Sequence, residues 1–334
     1  MPVLDDSAIL RTREEFIRPS DLVNFKTVNL LTVGSGDEES YQEFTVEPVY
    51  ASYAKIRFSH GAILNLGFDS VMVGTIKTGY PGCKPIDTAD LVSDITKNFK
   101  YRSHITSDFY TYGDKEYLIN LEEFTDRKSG TYNIATPEFY KFLGWCARTG
   151  RLVRDGYSVG LTVAHSDKYD GLIESLPLEV IETTDNPERI RIKFKINWFI
   201  DVIRGLCGYS GNYFLADDVT LHCTHKLAKA FREGFIACNV LRPYFKDADA
   251  IRYDCRFDDD NVGDLLFVLR RAGFDLVLTN DTVGYRIAEQ TLTISEYVQS
   301  VTHIEVPKLM YDVKPVKSSN INPLWVSGVL FKAK

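Results

Sequence analysis

The sequence predicts a mainly β chain interrupted by an α+β region, and three observations carry that prediction. Short runs alternating apolar and polar residues fill 1–135. Two similar helical segments each open a strand-rich stretch within 136–290, and alternation returns over 291–334.

Composition bounds the function classes. A chain of 334 residues that is 44% hydrophobic and 25% charged is globular and long enough for two domains. With 39 Lys+Arg against 46 Asp+Glu the net charge is −7, so attraction to nucleic acid is not a property of the whole chain. The six cysteines, at 83, 146, 207, 223, 238 and 255, show no paired spacing. They read as reduced, mostly buried thiols of a non-secreted protein, in the cytoplasm of a host cell or in a virion. No signal peptide and no apolar run of membrane-spanning length is present, so no membrane partner is expected.

In the first region strands are expected at 8–10, 28–32, 42–48, 55–58, 62–66 and 71–73, with turn residues between them. The stretch 99–117 joins this region to the first of the helical segments. Tyr101, Tyr110, Tyr112 and Tyr117, with Tyr80 before them, are large side chains with polar tips, a composition suited to an interface.

At Thr136-Pro137-Glu138 a capping side chain, a proline at the first helical position and an acid in the first turn predict a helix start. Phe139, Phe142, Leu143 and Cys146 come after it at helical spacing. Gly144 inside that helix costs about 1 kcal/mol against Ala, so a packing reason is expected, such as close approach of a second helix. The second segment, 225–240, repeats the arrangement with Leu227, Ala230, Phe231 and Phe235 on one face and Gly234 at the matching position. A strand, a helix and a strand pair come after each: 157–165, 167–176 and a hairpin ending at 189–196; then 251–257, 260–272 and strands near 276–278 and 285–288. The two repeats span 136–210 and 222–290.

Residues 142–150, Phe-Leu-Gly-Trp-Cys-Ala-Arg-Thr-Gly, resemble the first signature helix of LAGLIDADG homing endonucleases, and residues 231–239 resemble the second. That resemblance implies an αββαββα pseudo-dimer whose helices pack through Gly144 and Gly234. It also implies that an acid ending each helix binds the metals that cut DNA. Those positions match Thr149 and Asn239, which carry no charge. The acids Glu138, Asp155, Glu233 and Asp247 lie near the helices, but Asp155 follows Gly150 by five residues and Asp247 lies eight beyond Asn239, so neither of these two stands at the helix end where the metal chemistry needs it.

The flanking regions resemble the HINT fold of inteins, into which such endonucleases are commonly inserted. Residues 6–12, 61–73 and 87–92 are similar to its opening blocks, and 301–306, 310–313 and 324–331 to its closing strands. The resemblance implies that both ends of the chain, 1–135 and 291–334, form one HINT-like β domain around the insert at 136–290. The first splicing nucleophile matches Pro2, the block Thr and His match Gly67 and Ser70, and the final His-Asn matches Lys332-Ala333. Each position lacks the group that acyl transfer requires. A chain opening on its own Met1 is also expected to stand free of a host protein, so neither splicing nor DNA cleavage is expected.

DNA binding is the remaining possibility within the resemblance. Arg191, Lys193 and Lys195 alternate on one strand against Ile190, Ile192, Phe194 and Ile196, as a groove-facing sheet would require. The matching strand carries Arg252, Asp254, Arg256 and Asp258, whose charges cancel. Residues 137–290 hold 20 Lys+Arg and 23 Asp+Glu, a net of −3, whereas a surface contacting many phosphates is usually basic.

Three further features read as structural. His222-Cys223-x-His225 has no second Cys/His pair at zinc spacing. Asp258-Asp259-Asp260 suits a helix N-terminus. Gly208-Tyr209-Ser210-Gly211-Asn212 lacks the strand-to-helix context of a phosphate cradle. The expected function is therefore a catalytically inactive protein of intein and homing-endonuclease descent. It would serve as a structural or protein-interaction component of an assembly such as a phage virion, with no cofactor. The alternative is a DNA-binding protein or homing endonuclease that retains the LAGLIDADG saddle, and only cleavage would bring in Mg²⁺.

Overall fold

The computed structural model of the chain describes residues 1–34, 38–59, 62–76, 86–102, 116–149, 151–152, 158–164, 172, 174–186, 189–195, 197–209, 212–237, 250–255, 261–272, 276–281, 284–290, 297–317 and 319–333. The chain is mainly β and divides into two units, Met1–Ser107 with Thr293–Lys334, and Asp108–Leu292.

The first unit is built on an antiparallel sheet of nine strands among the described residues. Across the sheet they run Val298–Pro315, Val3–Leu4, Ile63–Gly67, Glu39–Phe58, Val28–Val33, Leu324–Val326, Val329–Phe331, Val71–Ile76 and Ile86–Leu91. Val298–Pro315 also pairs with Glu39–Phe58, from Val298 opposite Phe58 to Pro315 opposite Phe44. That pairing closes the first four strands into a ring, with Val3–Leu4 as its shortest member. Leu4, Leu30, Phe44, Ile56, Leu66 and Phe331 are among the side chains that fill the core.

Two expected strand breaks are absent. Residues 42–48 and 55–58 belong to one strand of 20 residues, which Pro48 does not end. The carbonyl of Ser52 and the N–H of Phe58 both bond on the side away from Val298–Pro315, to Phe68 and Ala62. Pro48 has the same phase, so its nitrogen faces that side, where 45–51 has no ladder partner among the described residues. A proline without an N–H costs no ladder bond there. Likewise 301–306 and 310–313 are one strand, with an irregularity between Ile304 and Lys308 instead of a break. Tyr101, expected at an interface, is instead buried in this core, edge-on to Phe58 and 3.2 Å from the Ser59 hydroxyl. Tyr80, Tyr110 and Tyr112 lie outside the described residues.

The second unit centres on two helices, Pro137–Thr149 and His225–Ala237. Each starts under a threonine: Thr136 Oγ1 accepts from Phe139 N at 3.2 Å, and Thr224 Oγ1 from Leu227 N at 3.2 Å. Phe139, Phe142, Leu143 and Cys146 are buried on the first, and Leu227, Ala230, Phe231 and Phe235 on the second.

The strands after the two helices pair in the same way. Ser158–Ala164 pairs with Arg189–Lys195, which pairs back with Val180–Asn186; Arg151–Leu152 adds an edge. Ala250–Cys255 pairs with Gly284–Gln290, which pairs back with Leu276–Asp281. In both sheets the leading strand joins the second arm of the hairpin after it. The helix expected at 260–272 is Val262–Arg271, while most of the one expected at 167–176 lies outside the described residues.

A further helix, Trp198–Cys207, has no counterpart among the expected elements. Asn197 caps it by accepting from Phe199 N and Ile200 N, and it buries Phe199, Ile200, Val202, Ile203 and Leu206. Gly208, at φ 59°, ends it in the left-handed region that glycine enters most readily.

Candidate functional site

The residues matched to splicing positions meet in the first unit, where the short strand Val3–Leu4 enters the ring. Pro2 is buried, and its carbonyl accepts from Val313 N at 3.0 Å. The Ser70 hydroxyl accepts from Val3 N at 2.8 Å and donates to the Val3 carbonyl at 3.4 Å. Ser70 is fully buried and reaches back through its own N–H to the Gly67 carbonyl, 2.9 Å away. Gly67 leaves the space that Val3 fills, since a Cβ on Gly67 would lie 2.7 Å from the Val3 Cβ. Lys332 joins from the far end of the chain, donating its N–H to the Val71 carbonyl at 2.8 Å, and Ala333 beside it is buried.

The chemistry of this meeting point is set by its bonds. The hydroxyl of Ser70 accepts one hydrogen bond from the backbone of Val3 and donates one to it, and neither partner is a base that could remove its proton. Pro2, Gly67 and Ala333 bring no side-chain nucleophile. Around the same strand, Asp5 Oδ2 accepts from Asn65 Nδ2 at 2.7 Å and Lys308 Nζ at 2.6 Å. Its Oδ1 accepts from Ser7 N at 3.1 Å and Ser7 Oγ at 2.5 Å. The carboxylate is thus held on both oxygens, and Lys308 Nζ also lies 4.4 Å from the centre of the Tyr53 ring.

In the second unit the two central helices cross at their glycines. A Cβ on Gly144 would overlap the backbone carbonyl of Phe231, and one on Gly234 would overlap that of Lys141. Each glycine stands three residues from the carbonyl that faces the other, so the contact is reciprocal. Thr149 is the last residue of its helix, and Asn239 lies outside the described residues. Glu138 is in the first turn of its helix and Glu233 is exposed near the end of the other; Asp155 and Asp247 lie outside the described residues.

Arg191, Lys193 and Lys195 occupy alternate register positions, and hence one face, of the four-stranded sheet. Their cross-strand partners are Thr162, Gly160 and Ser158 on one side, and Thr184 and Glu182 on the other. By the same register Arg189 and Arg151 belong to that face, which among the described residues carries five basic positions and one acidic position, Glu182. The corresponding face of the three-stranded sheet carries Arg252 and Arg286 against Asp254 and Asp281. Arg256 and Asp258–Asp260 lie outside the described residues.

The His222, Cys223 and His225 side chains have separate engagements. The His222 ring stacks on Tyr117 with centroids 3.9 Å apart. Burial pushes the Cys223 thiol up to about 12, although Arg271 opposes the shift. His225 Nδ1 lies 2.6 Å from the Arg271 carbonyl. Tyr117, half-buried and donating to Asp218, has its hydroxyl pKa raised by burial first and by that carboxylate second. His222 is lowered, mainly by burial, with Arg271 acting in the same sense and Asp218 and Asp217 against it. Among the described residues no three His, Cys, Asp or Glu side chains converge to hold a metal ion, and no helix is long and apolar enough to cross a membrane.

Large apolar side chains stand exposed on the ribbon of the first unit. Tyr50 lies opposite Leu309, at 74% and 46% exposure, and Val306 near them is 74% exposed. Tyr50 has the phase of the buried Phe44, Val46, Ala54 and Ile56 on its own strand, so alternation does not separate it from them, and Val306 lies within the irregularity between Ile304 and Lys308. No protein-family model matches the chain, and no curated protein matches it significantly.

Proposed function

We propose that the chain is a catalytically inactive protein of intein and homing-endonuclease descent, serving as a structural or protein-interaction component of an assembly. The observation that carries this reading is the engagement of Ser70 with the backbone of Val3, where acyl transfer in that family would need an activated nucleophile and a proton donor. The meeting of Pro2, Gly67, Ser70 and Lys332 from both ends of one unit supports the HINT-like part of the reading. The glycine crossing and the repeated strand pairing support the LAGLIDADG-like part. Exposed Tyr50, Leu309 and Val306 supply apolar surface of the kind that protein partners cover.

A fusion test addresses the inactive assignment. With a reporter domain attached to each end, the fusion is expected to stay at full mass through long incubation with thiol. Release or ligation of either reporter would contradict it. A second reading, DNA binding without cleavage, is favoured by the basic face of the first sheet alone. The balanced second sheet weighs against a two-sided saddle.

A further inference from the structure

The strand Val3–Leu4 is attached to its surroundings by groups remote from it in sequence. Val3 stands opposite Asp312, and Leu4 opposite both Tyr311 and Leu66. The Pro2 carbonyl takes the Val313 N–H, the Val3 N–H takes Ser70 Oγ, and the Asp5 N–H donates to the Asn65 carbonyl at 3.3 Å. Lys308 and Asn65 hold the Asp5 carboxylate. Nothing in these contacts depends on the continuity of the chain between the strand and its neighbours.

The slot has a definite chemical imprint. Gly67 admits a branched side chain at the position of Val3. The core takes the fully buried Leu4 next to it. An ammonium and an amide then select a carboxylate at the third position. On either side the slot is lined by strand edges, which bind an extended backbone by ladder bonds. The connection outward is a tight turn in which Ser7 N and Oγ bond Asp5 Oδ1 and Ala8 N bonds the Asp5 carbonyl at 3.2 Å. The chain re-enters a separate ladder at Leu10 opposite Ile17. A turn bounded by two independently held segments is where one segment can swing away without the other.

We propose that this slot is a strand-receiving site whose occupant can be exchanged, and that it takes residues 2–5 of a second copy of this chain. The segment it recognises is extended, with a β-branched residue, a large aliphatic residue and an acid in succession. Exchange joins copies without creating a new surface, since every bond made in trans is one already made in cis. This goes beyond the inactive assignment and does not depend on it, because strand exchange neither needs nor excludes catalysis.

The test uses the full chain. Leu4→Asp puts a charge into the core position and releases the chain's own strand. A fluorescently labelled peptide of residues 1–7 is expected to bind the Leu4→Asp protein saturably and at least tenfold more tightly than wild type. The same peptide carrying Leu4→Asp is expected not to bind. A folded Leu4→Asp protein that ignores the peptide, or equal binding to both proteins, overturns the proposal. Hydrogen exchange on wild type decides the matter if Leu4→Asp does not fold. The Val3 and Asp5 amides are expected to exchange at least 100-fold faster than those of Ile56 and Leu64. Exchange of all four only with global unfolding would show that the segment is not separable, and would overturn the proposal.

Discussion

Gly144 lies directly against the backbone carbonyl of Phe231, and the relation is returned by Gly234 against the carbonyl of Lys141. The obstacle at each glycine is backbone, which cannot rotate aside. Propensity alone would make Gly→Ala within a helix favourable by about 1 kcal/mol. Here the added methyl must push the helices apart, so Gly144→Ala and Gly234→Ala are each expected to destabilise by about 3 kcal/mol. Denaturant unfolding monitored by tryptophan fluorescence checks the sign, since Trp145 is buried in the first of these helices. A gain in stability for either variant would contradict the crossing.

At the other unit's meeting point the fit of Val3 over Gly67 is similarly tight, but the obstacle is a side chain. Gly67→Ala is expected to cost about 2 kcal/mol, and Val3→Ala in the same protein to recover part of it. A double-mutant cycle measures that coupling. Additive costs would show that the two residues do not share the space.

Loss of the Ser70 hydroxyl leaves the Val3 N–H without its side-chain acceptor. Ser70→Ala is expected to lower stability by about 2 kcal/mol. It is also expected to leave the two-reporter fusion uncleaved, because the hydroxyl serves as a structural group. Thermal melts and the mass of the fusion report the two effects separately.

The stacked His222 gives a pH dependence with a definite sign. Burial lowers its pKa in the folded chain, so between that value and the unfolded value of ~6.5 the unfolded state binds more protons. Its contribution to stability is therefore complete above ~6.5 and lost as pH falls through that window. His222→Phe retains a ring over Tyr117 and is expected to flatten the fall in melting temperature between pH 7 and pH 5. Identical profiles for the two proteins would assign that fall to other groups.

The parts of this fold legible in the sequence are those marked by one residue with one physical meaning. A glycine in the middle of an amphipathic helix needs a neighbour at close range, so Gly144 and Gly234 can be singled out, although neither Phe231 nor Lys141 can be named as the obstacle. Alternation locates Val28–Val33, Glu39–Phe58, Ile63–Gly67 and Val71–Ile76, but neither the two-residue strand Val3–Leu4 nor the continuity through Pro48, which depends on which edge the proline faces. Trp198–Cys207 carries a readable cap in Asn197, yet its dense apolar run obscures the helical period. Replacing that cap, as in Asn197→Ala, is expected to cost about 1 kcal/mol, which thermal unfolding can measure. Side-chain engagements such as Ser70 with Val3, and His222 with Tyr117, join residues far apart in the chain and leave no local pattern.

Above all, the proposed role requires that this chain cut no DNA and act without it. Retention of a random duplex DNA pool by the purified protein at low and high salt tests this directly, with the same reactions incubated in Mg²⁺ or Mn²⁺ and inspected for cut products. Intact DNA and no selective retention are expected. Uncut DNA retained selectively, with steep weakening as salt rises, would instead support the DNA-binding reading and make Arg191, Lys193 and Lys195 the first residues to replace. Site-specific cleavage would contradict the inactive assignment outright, and cleavage unchanged by Thr149→Ala would place the chemistry on an acid elsewhere in the chain.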